Sequence, residues 1–326
     1  MKLQLTMTAV MVALLAVTAG AASHIGQGSH GVNTKVKTSS RHVVKSAYPL
    51  RLLDEAGHKV TIAKLPYRIA STTEGTDEIL AGLVPKKRIV MVTTYASQPA
   101  YSNISSYVKG IPAIGQVNAE QVLAVKPNIV LMASYNTPAI VQQIEQTGVP
   151  VFEFTNFNSI HDIENNIDVV GRLVGIPAKA THMVTAMKKQ LQVIHQATAK
   201  LKKLTVLDYS TSGYTAGRNT TVDSVITAAG GINAAKAING WKLLTDEEIV
   251  KMNPQVIIDA NNDPGFVKKI MSDPALASVA AVKSFRVYTI NGAQLMAVSQ
   301  YIVRGVRDVA HVLYPFSKLP SNNQLQ

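Results

Sequence analysis

The sequence predicts an α/β protein: two Rossmann-like α/β lobes joined by a single long α-helix. Three observations carry this. NAEQVLAVKPNIVL (118–131) and TDEEIVKMNPQVII (245–258) match in chemical type at a constant offset of 127. Strand-like apolar runs alternate with helical patterns both before and after the middle of the chain, the sign of largely parallel sheets. Between the halves, the helical pattern that begins after Pro177 and runs to about Leu201 lacks Gly and Pro. It carries Met183, Met187, Leu191 and Ile194 as one apolar stripe, opposite a lysine-rich face.

Residues 1–22 read as a signal peptide, with Lys2, an apolar core from Ala9 to Val17, and small residues at Ala19-Gly20-Ala21. The uncharged run from Leu3 to Ser23 leaves an uncleaved anchor as the alternative. Residues 23–47 are polar and form a flexible linker. The N-terminal lobe takes 48–175. It opens with a hairpin turning at Asp54-Glu55-Ala56-Gly57, followed by a strand from Arg68 and a loop at 72–75. A helix over 77–83, strand 88–94, the first repeated segment, helix 138–147, strand 151–154 and helix 161–174 complete it. The connecting helix spans 176–201. The C-terminal lobe, 202–318, runs from strand 204–210 through a loop at 213–218 and helix 222–229. The second repeated segment, strand 286–290, a loop at 291–294 and a last helix follow, leaving a tail at 319–326.

A chain of 326 residues with 47% apolar and 16% charged residues folds into globular lobes, not a disordered chain. With no cysteine, it has no disulfide and no lipobox cysteine for lipid attachment. The expected location is extracytoplasmic, in the periplasm or at the cell surface. The net charge of +12 comes from spread lysines, which suit a solvated surface or an anionic envelope. No basic run interleaved with aromatics points to nucleic acid. No Gly-x-Ser-x-Gly elbow, phosphate-cradling loop or dinucleotide fingerprint points to an enzyme.

Each repeated segment is a physical device. Asn118 and Thr245 are N-caps, with Gln121 and Glu248 at capping-box spacing. Pro127 and Pro254 end the short helices, and a buried strand follows. Glu120 and Glu247 fall in the first turn. They either oppose the helix dipole or present one outward carboxylate per lobe to a two-fold partner.

The order and spacing of PYRIASTTEGTDEILAGL, PAIGQVNAEQVLAVKPNIVL, the 178–201 helix, TTVDSVITAAGGIN, GWKLLTDEEIVKMNPQVII and AVKSFRVYTI resemble the substrate-binding proteins of ABC importers for ferric siderophores, haem and cobalamin. The resemblance covers about residues 48 to 318. It implies a monomer that captures a small-molecule metal chelate, a ferric siderophore first and haem or cobalamin as alternatives, without catalysis or a resident cofactor. It also implies delivery to a dimeric permease whose arginines receive Glu120 and Glu247. A surface sensing or adhesion role is the remaining alternative.

Ligands of open α/β sheets gather at the carboxyl ends of strands, so the cleft loops supply the candidates. The first lobe offers Thr73, Glu74, Tyr95, Tyr101 and Tyr135. The second offers Tyr214, Arg218, Trp241, Asn261 and Gln294. Trp241, the only tryptophan, stands where several relatives place a cleft-lining Trp; a lobe-core anchor is its alternative. Some relatives also put an aromatic contact at Tyr135. Arg218 pairs with an anionic chelate or is a surface arginine. A lone arginine in the cleft disfavours a highly charged catecholate. Tyr95, Tyr101 and Tyr107 stack, pack their loop, or ligate haem iron. His161, His182 and His195 lack metal-site spacing, so no dedicated metal site is expected. The stiff helix predicts small lobe movements.

Overall fold

The computed structural model describes residues 48–260 and 265–319. The expected signal peptide and linker lie outside the described residues. The hairpin forms as expected from β1 (Leu50–Leu53) and β2 (Lys59–Ile62), turning through Gly57 at φ 91, a left-handed conformation open to glycine. Then come β3 (Ile69–Ser71), α1 (Glu74–Leu83), β4 (Ile89–Thr93), β5 (Ala113–Ile114) and α2 (Ala119–Ala124). β6 (Ile129–Ala133), α3 (Pro138–Glu145), β7 (Val151–Phe154) and α4 (Ile160–Leu173) complete the first unit. Its five strands are parallel in the order β5-β4-β3-β6-β7.

Helix α5 (Pro177–Thr198), 22 residues and about 33 Å long, leads to the second unit. That unit contains β8 (Thr205–Asp208), β9 (Tyr214–Ala216), α6 (Thr221–Ala228), β10 (Ile232–Asn233), β11 (Trp241–Leu243) and α7 (Asp246–Met252). β12 (Val256–Asp259), α8 (Phe266–Met271), α9 (Ala280–Lys283), β13 (Val287–Thr289), α10 (Gly292–Leu295) and α11 (Ile302–Leu313) follow. The second sheet is also parallel, ordered β10-β8-β12-β13. Its β8–β12 pairing begins Val206↔Val256, as β3–β6 begins Ile69↔Ile129, so the repeated segments, 127 residues apart, enter their sheets at equivalent places, although the partner strands are offset by 137. β5 has no counterpart among the described strands of the second sheet.

The repeat reaches the core. Ile129 and Leu131 face a large shared cluster, and so do Val256 and Ile258. Val130 and Met132 face a cluster on the outer side of the first sheet, and Ile257 one on the outer side of the second. The shared cluster continues through α4, α5 and α11, so the lobes rest on common apolar ground. On α5 it takes Ala180, Val184, Met187 and Ile194 as buried positions, with Met183 and Leu191 at the margin.

In both devices the N-cap forms: Gln121 N donates to Asn118 Oδ1 at 2.9 Å, and Glu248 N to Thr245 Oγ1 at 3.3 Å. The full capping box closes only in the second, where Thr245 N donates to Glu248 Oε2 at 3.1 Å. Each helix stops through a left-handed residue before its proline: Lys126 at φ 47 and Asn253 at φ 45.

Three local expectations are corrected. Helix α1 starts at Glu74, not Asp77, because Thr73 caps it by accepting from Thr76 N at 3.4 Å. Residues 214–216 and Trp241 lie in strands, not loops: β9 and β11 form an antiparallel ribbon. Each has three residues, and Gly213, Gly217 and Gly240 at their ends mask them as loop. The 291–294 loop is the start of α10.

Candidate functional site

A cavity of about 460 Å³ opens between the two lobes. The carboxyl ends of strands from both sheets reach it: Thr93 of β4, Ala133 of β6, Phe154 of β7, Asp208 of β8 and Asp259 of β12. This follows from parallel sheets, whose loops gather at one edge. The N-terminus of α1 adds Thr73 and Glu74.

Thr73, Glu74, Tyr95, Tyr101, Tyr135 and Trp241 line the cavity. Tyr95 and Tyr101 meet edge to face with centroids 5.6 Å apart. Tyr135 meets Phe157 at 6.4 Å in the same manner. Trp241 comes from the opposite lobe, so aromatic surfaces face the space from both sides.

Three candidates lie away from the wall. Tyr214 pairs with exposed Leu243 at the end of the ribbon remote from Trp241, which pairs with Ala216. Arg218 is exposed, and its backbone is tied to Ile238 and Gly240. Gln294 sits on α10, whose Gly292 and adjoining Met296 line the cavity. Residues four apart share a helix face, and the one between them points away. Asn261 lies outside the described residues, next to Ala260, which lines the wall. Tyr107 packs against the first lobe, its hydroxyl donating to Val84 O at 3.4 Å.

Sequence reasoning missed the acids of the second lobe. Asp208 and Asp259 are buried on adjacent strands, at the ends of the runs TVLD and VIID. An acidic residue closing a buried strand was the available signal. Burial, and then the charge of Asp259, push the Asp208 carboxyl up to about 8. Burial, then Glu78 and Asp77, push Glu74 well above the ordinary carboxylate range. Asp77, behind the wall, is pushed up to about 8 by burial, although Thr93 N and Oγ1 donate to it at 2.8 and 2.7 Å. Tyr135 keeps 40% of its surface exposed, yet burial around its hydroxyl pushes the phenol up to about 12. Asp208, Asp77 and the Tyr135 phenol are therefore largely neutral near pH 7.

Among the described lining residues there is no Lys, Arg or His. Two buried acceptors on the wall, Glu74 Oε1 and Asn166 Oδ1, have no hydrogen-bond partner among the described residues. Leaving a buried polar atom unmet costs about 1–3 kcal/mol. Glu120 and Glu247 are both exposed in the first turns of α2 and α7. The backbone N–H of Glu247 and the Thr245 hydroxyl hold the Glu247 carboxyl below its ordinary range.

Two parallel α/β lobes, one bridging helix and a cavity between them define a bilobal ligand-binding protein. The chain belongs to the periplasmic binding protein family, whose model matches residues 69–293. It is similar to an uncharacterised ABC transporter substrate-binding lipoprotein, YvrC, of Bacillus subtilis: 27% identical over 290 residues, 86% of this chain and 90% of the relative. A cobalamin-binding protein of Halobacterium salinarum is 26% identical over 218 residues, 65% of this chain and 58% of the relative. The solved periplasmic heme-binding protein RhuT of Roseiflexus sp. RS-1 superposes with a TM-score of 0.67 at 25% identity, covering 79% of this chain and 99% of that one.

Proposed function

We propose that this chain is the extracytoplasmic receptor of an ABC importer, and that its cargo is an uncharged or cationic metal chelate, a corrinoid or a ferric hydroxamate. The observation that carries the choice is the acidic wall: among the described lining residues, every side chain able to carry charge is a carboxyl or a phenol. An anionic chelate finds no cation among the described lining residues to answer its charge, and any of Glu74, Asp208 and Asp259 that ionises repels it, at a cost of several kcal/mol for like charges brought together. An uncharged chelate meets protonated acids that donate hydrogen bonds, and a cationic one is neutralised as they ionise. The aromatic walls supply the apolar contact, and Glu74 Oε1 and Asn166 Oδ1 offer acceptors. The cobalamin binding named for a relative agrees in kind.

Binding requires no covalent step, so the chain acts as a receptor and not as an enzyme. Delivery uses Glu120 and Glu247, each exposed at the same place on its lobe. Exposed ion pairs give only ~0.2–1 kcal/mol each, so their part is register and orientation on a dimeric permease.

Calorimetric titration with cobalamin and with an uncharged ferric hydroxamate tests the site. One of the two binds at one per chain, and Trp241→Ala weakens it at least tenfold, since a buried Trp face contributes a few kcal/mol. Unchanged affinity in Trp241→Ala would remove the cavity assignment.

A further inference from the structure

Away from the cavity, two buried carboxylates and one exposed imidazole converge at the turn of the β1–β2 hairpin. Asp54 follows β1, His58 precedes β2, and Glu153 is the third residue of β7. His58 Nδ1 lies 3.4 Å from Asp54 Oδ2 and 3.3 Å from Glu153 Oε2. Donor atoms of all three lie within 4.8 Å of one another. The side chains of Asp54 and Glu153 are 2% and 9% exposed, and that of His58 62%.

The backbone already holds this arrangement. His58 N donates to Asp54 Oδ1 at 2.7 Å, and Asp54 N to His58 O at 2.9 Å. Glu55 N donates to Glu153 O at 3.1 Å, tying the turn to β7. The Glu55 carboxylate accepts from Thr155 N and Asn156 N at 2.6 and 2.7 Å. Glu153 interrupts the apolar strand Val151–Phe154, whose residues are all buried. Two buried acids side by side are a charge imbalance that a cation relieves.

One imidazole nitrogen and two carboxylate oxygens suit zinc, at bond lengths of about 2.0–2.2 Å. A tetrahedral ion with such bonds holds its donors about 3.4 Å apart, which both separations from His58 Nδ1 match. His58 is the exposed member of the three, so solvent reaches the cluster from its side. We propose that Asp54, His58 and Glu153 form a Zn²⁺ site that pins the N-terminal hairpin to strand β7. The residues lie on different elements, which hid the site from sequence reasoning: Glu153 is remote in sequence, and the pair within the turn has no metal-site spacing of its own.

The test uses the untagged full chain, stripped with chelator and titrated with ZnCl₂ by calorimetry and thermal unfolding. Wild type takes up one Zn²⁺ per chain and its Tm rises by about 3 °C or more at saturation. His58→Ala, on the exposed turn, and the isosteric Glu153→Gln each weaken uptake at least tenfold and abolish the rise. His161→Ala leaves both unchanged. Absence of uptake, equal uptake by His58→Ala, or an equal Tm rise with CaCl₂ would each overturn the site. A protonated imidazole between two carboxylates would give the first of these results.

Discussion

Asp208 is one of the residues whose chemistry its surroundings displace far from the ordinary. Its carboxyl, pushed up to about 8 by burial and by Asp259, holds a proton in the fold that the unfolded chain releases near pH 4. Between about pH 4 and pH 8 the native state therefore binds more protons, and this group's stability contribution is lost as pH rises. Asp208→Asn removes that loss. Its Tm should equal or trail wild type at pH 3 and gain on it steadily up to pH 8, as scanning calorimetry across that range would register. Parallel curves would mean that Asp208 is not protonated in the fold. Glu78 tells a second story at this scale. Its carboxylate accepts from Asn103 N at 2.7 Å and Asn103 Nδ2 at 2.9 Å on its own lobe, and from Ser299 Oγ on the other side of the cleft. Glu78→Ala strands these buried donors, and a loss of about 2–4 kcal/mol in urea unfolding is expected.

The two capped helices show where an element's sequence and its structure part company. Both N-caps form, but only Glu248 reaches back to its cap, and it also meets Lys242 Nζ at 2.6 Å. Glu248→Ala should therefore cost ~0.5–1 kcal/mol while Gln121→Ala costs little, a contrast that chemical denaturation can resolve. Strand and helix positions were legible wherever apolar periodicity ran over four or more residues: β7 falls on the VFEF run, and α5 on its stripe. The short ribbon of β9 and β11 was not, because three residues give too little alternation and glycines flank them. The lining candidates followed the rule that loops gather at strand ends, which found Tyr135 and Trp241. The rule does not say which way a side chain points. That placed Tyr214, Arg218 and Gln294 in the cleft although the ribbon register and the turn of α10 direct them elsewhere. Asp208 and Asp259 stayed hidden because each closes an apolar strand and reads as core.

At the scale of the whole molecule, the lobes are joined by more than α5. The stretch from α10 to α11 crosses back to the first lobe: Asn103 Nδ2 donates to Ala293 O of α10 at 2.6 Å, and Gln300 Nε2, between the two helices, donates to Glu78 O at 2.8 Å. A Cβ on Gly75 would stand 2.5 Å from Val298 Cγ2 and 2.9 Å from Val298 O, so the lobes touch there at glycine distance. Gly75→Ala should wedge them, lowering stability by about 1–3 kcal/mol and weakening ligand binding together, since both residues line the cavity. With a shared core and these staples, cargo binding should move the lobes modestly. Solution scattering should show no change of several ångströms in radius of gyration. The central claim, that an acid-walled cleft takes uncharged or cationic chelates, is tested most directly by quenching of the single tryptophan. One titration series would compare cobalamin, an uncharged ferric hydroxamate, haem and a ferric catecholate at one ionic strength. Saturable quenching by cobalamin or the hydroxamate, at least tenfold tighter than by either anionic chelate, is the predicted result. Tightest binding by haem or the catecholate would contradict it.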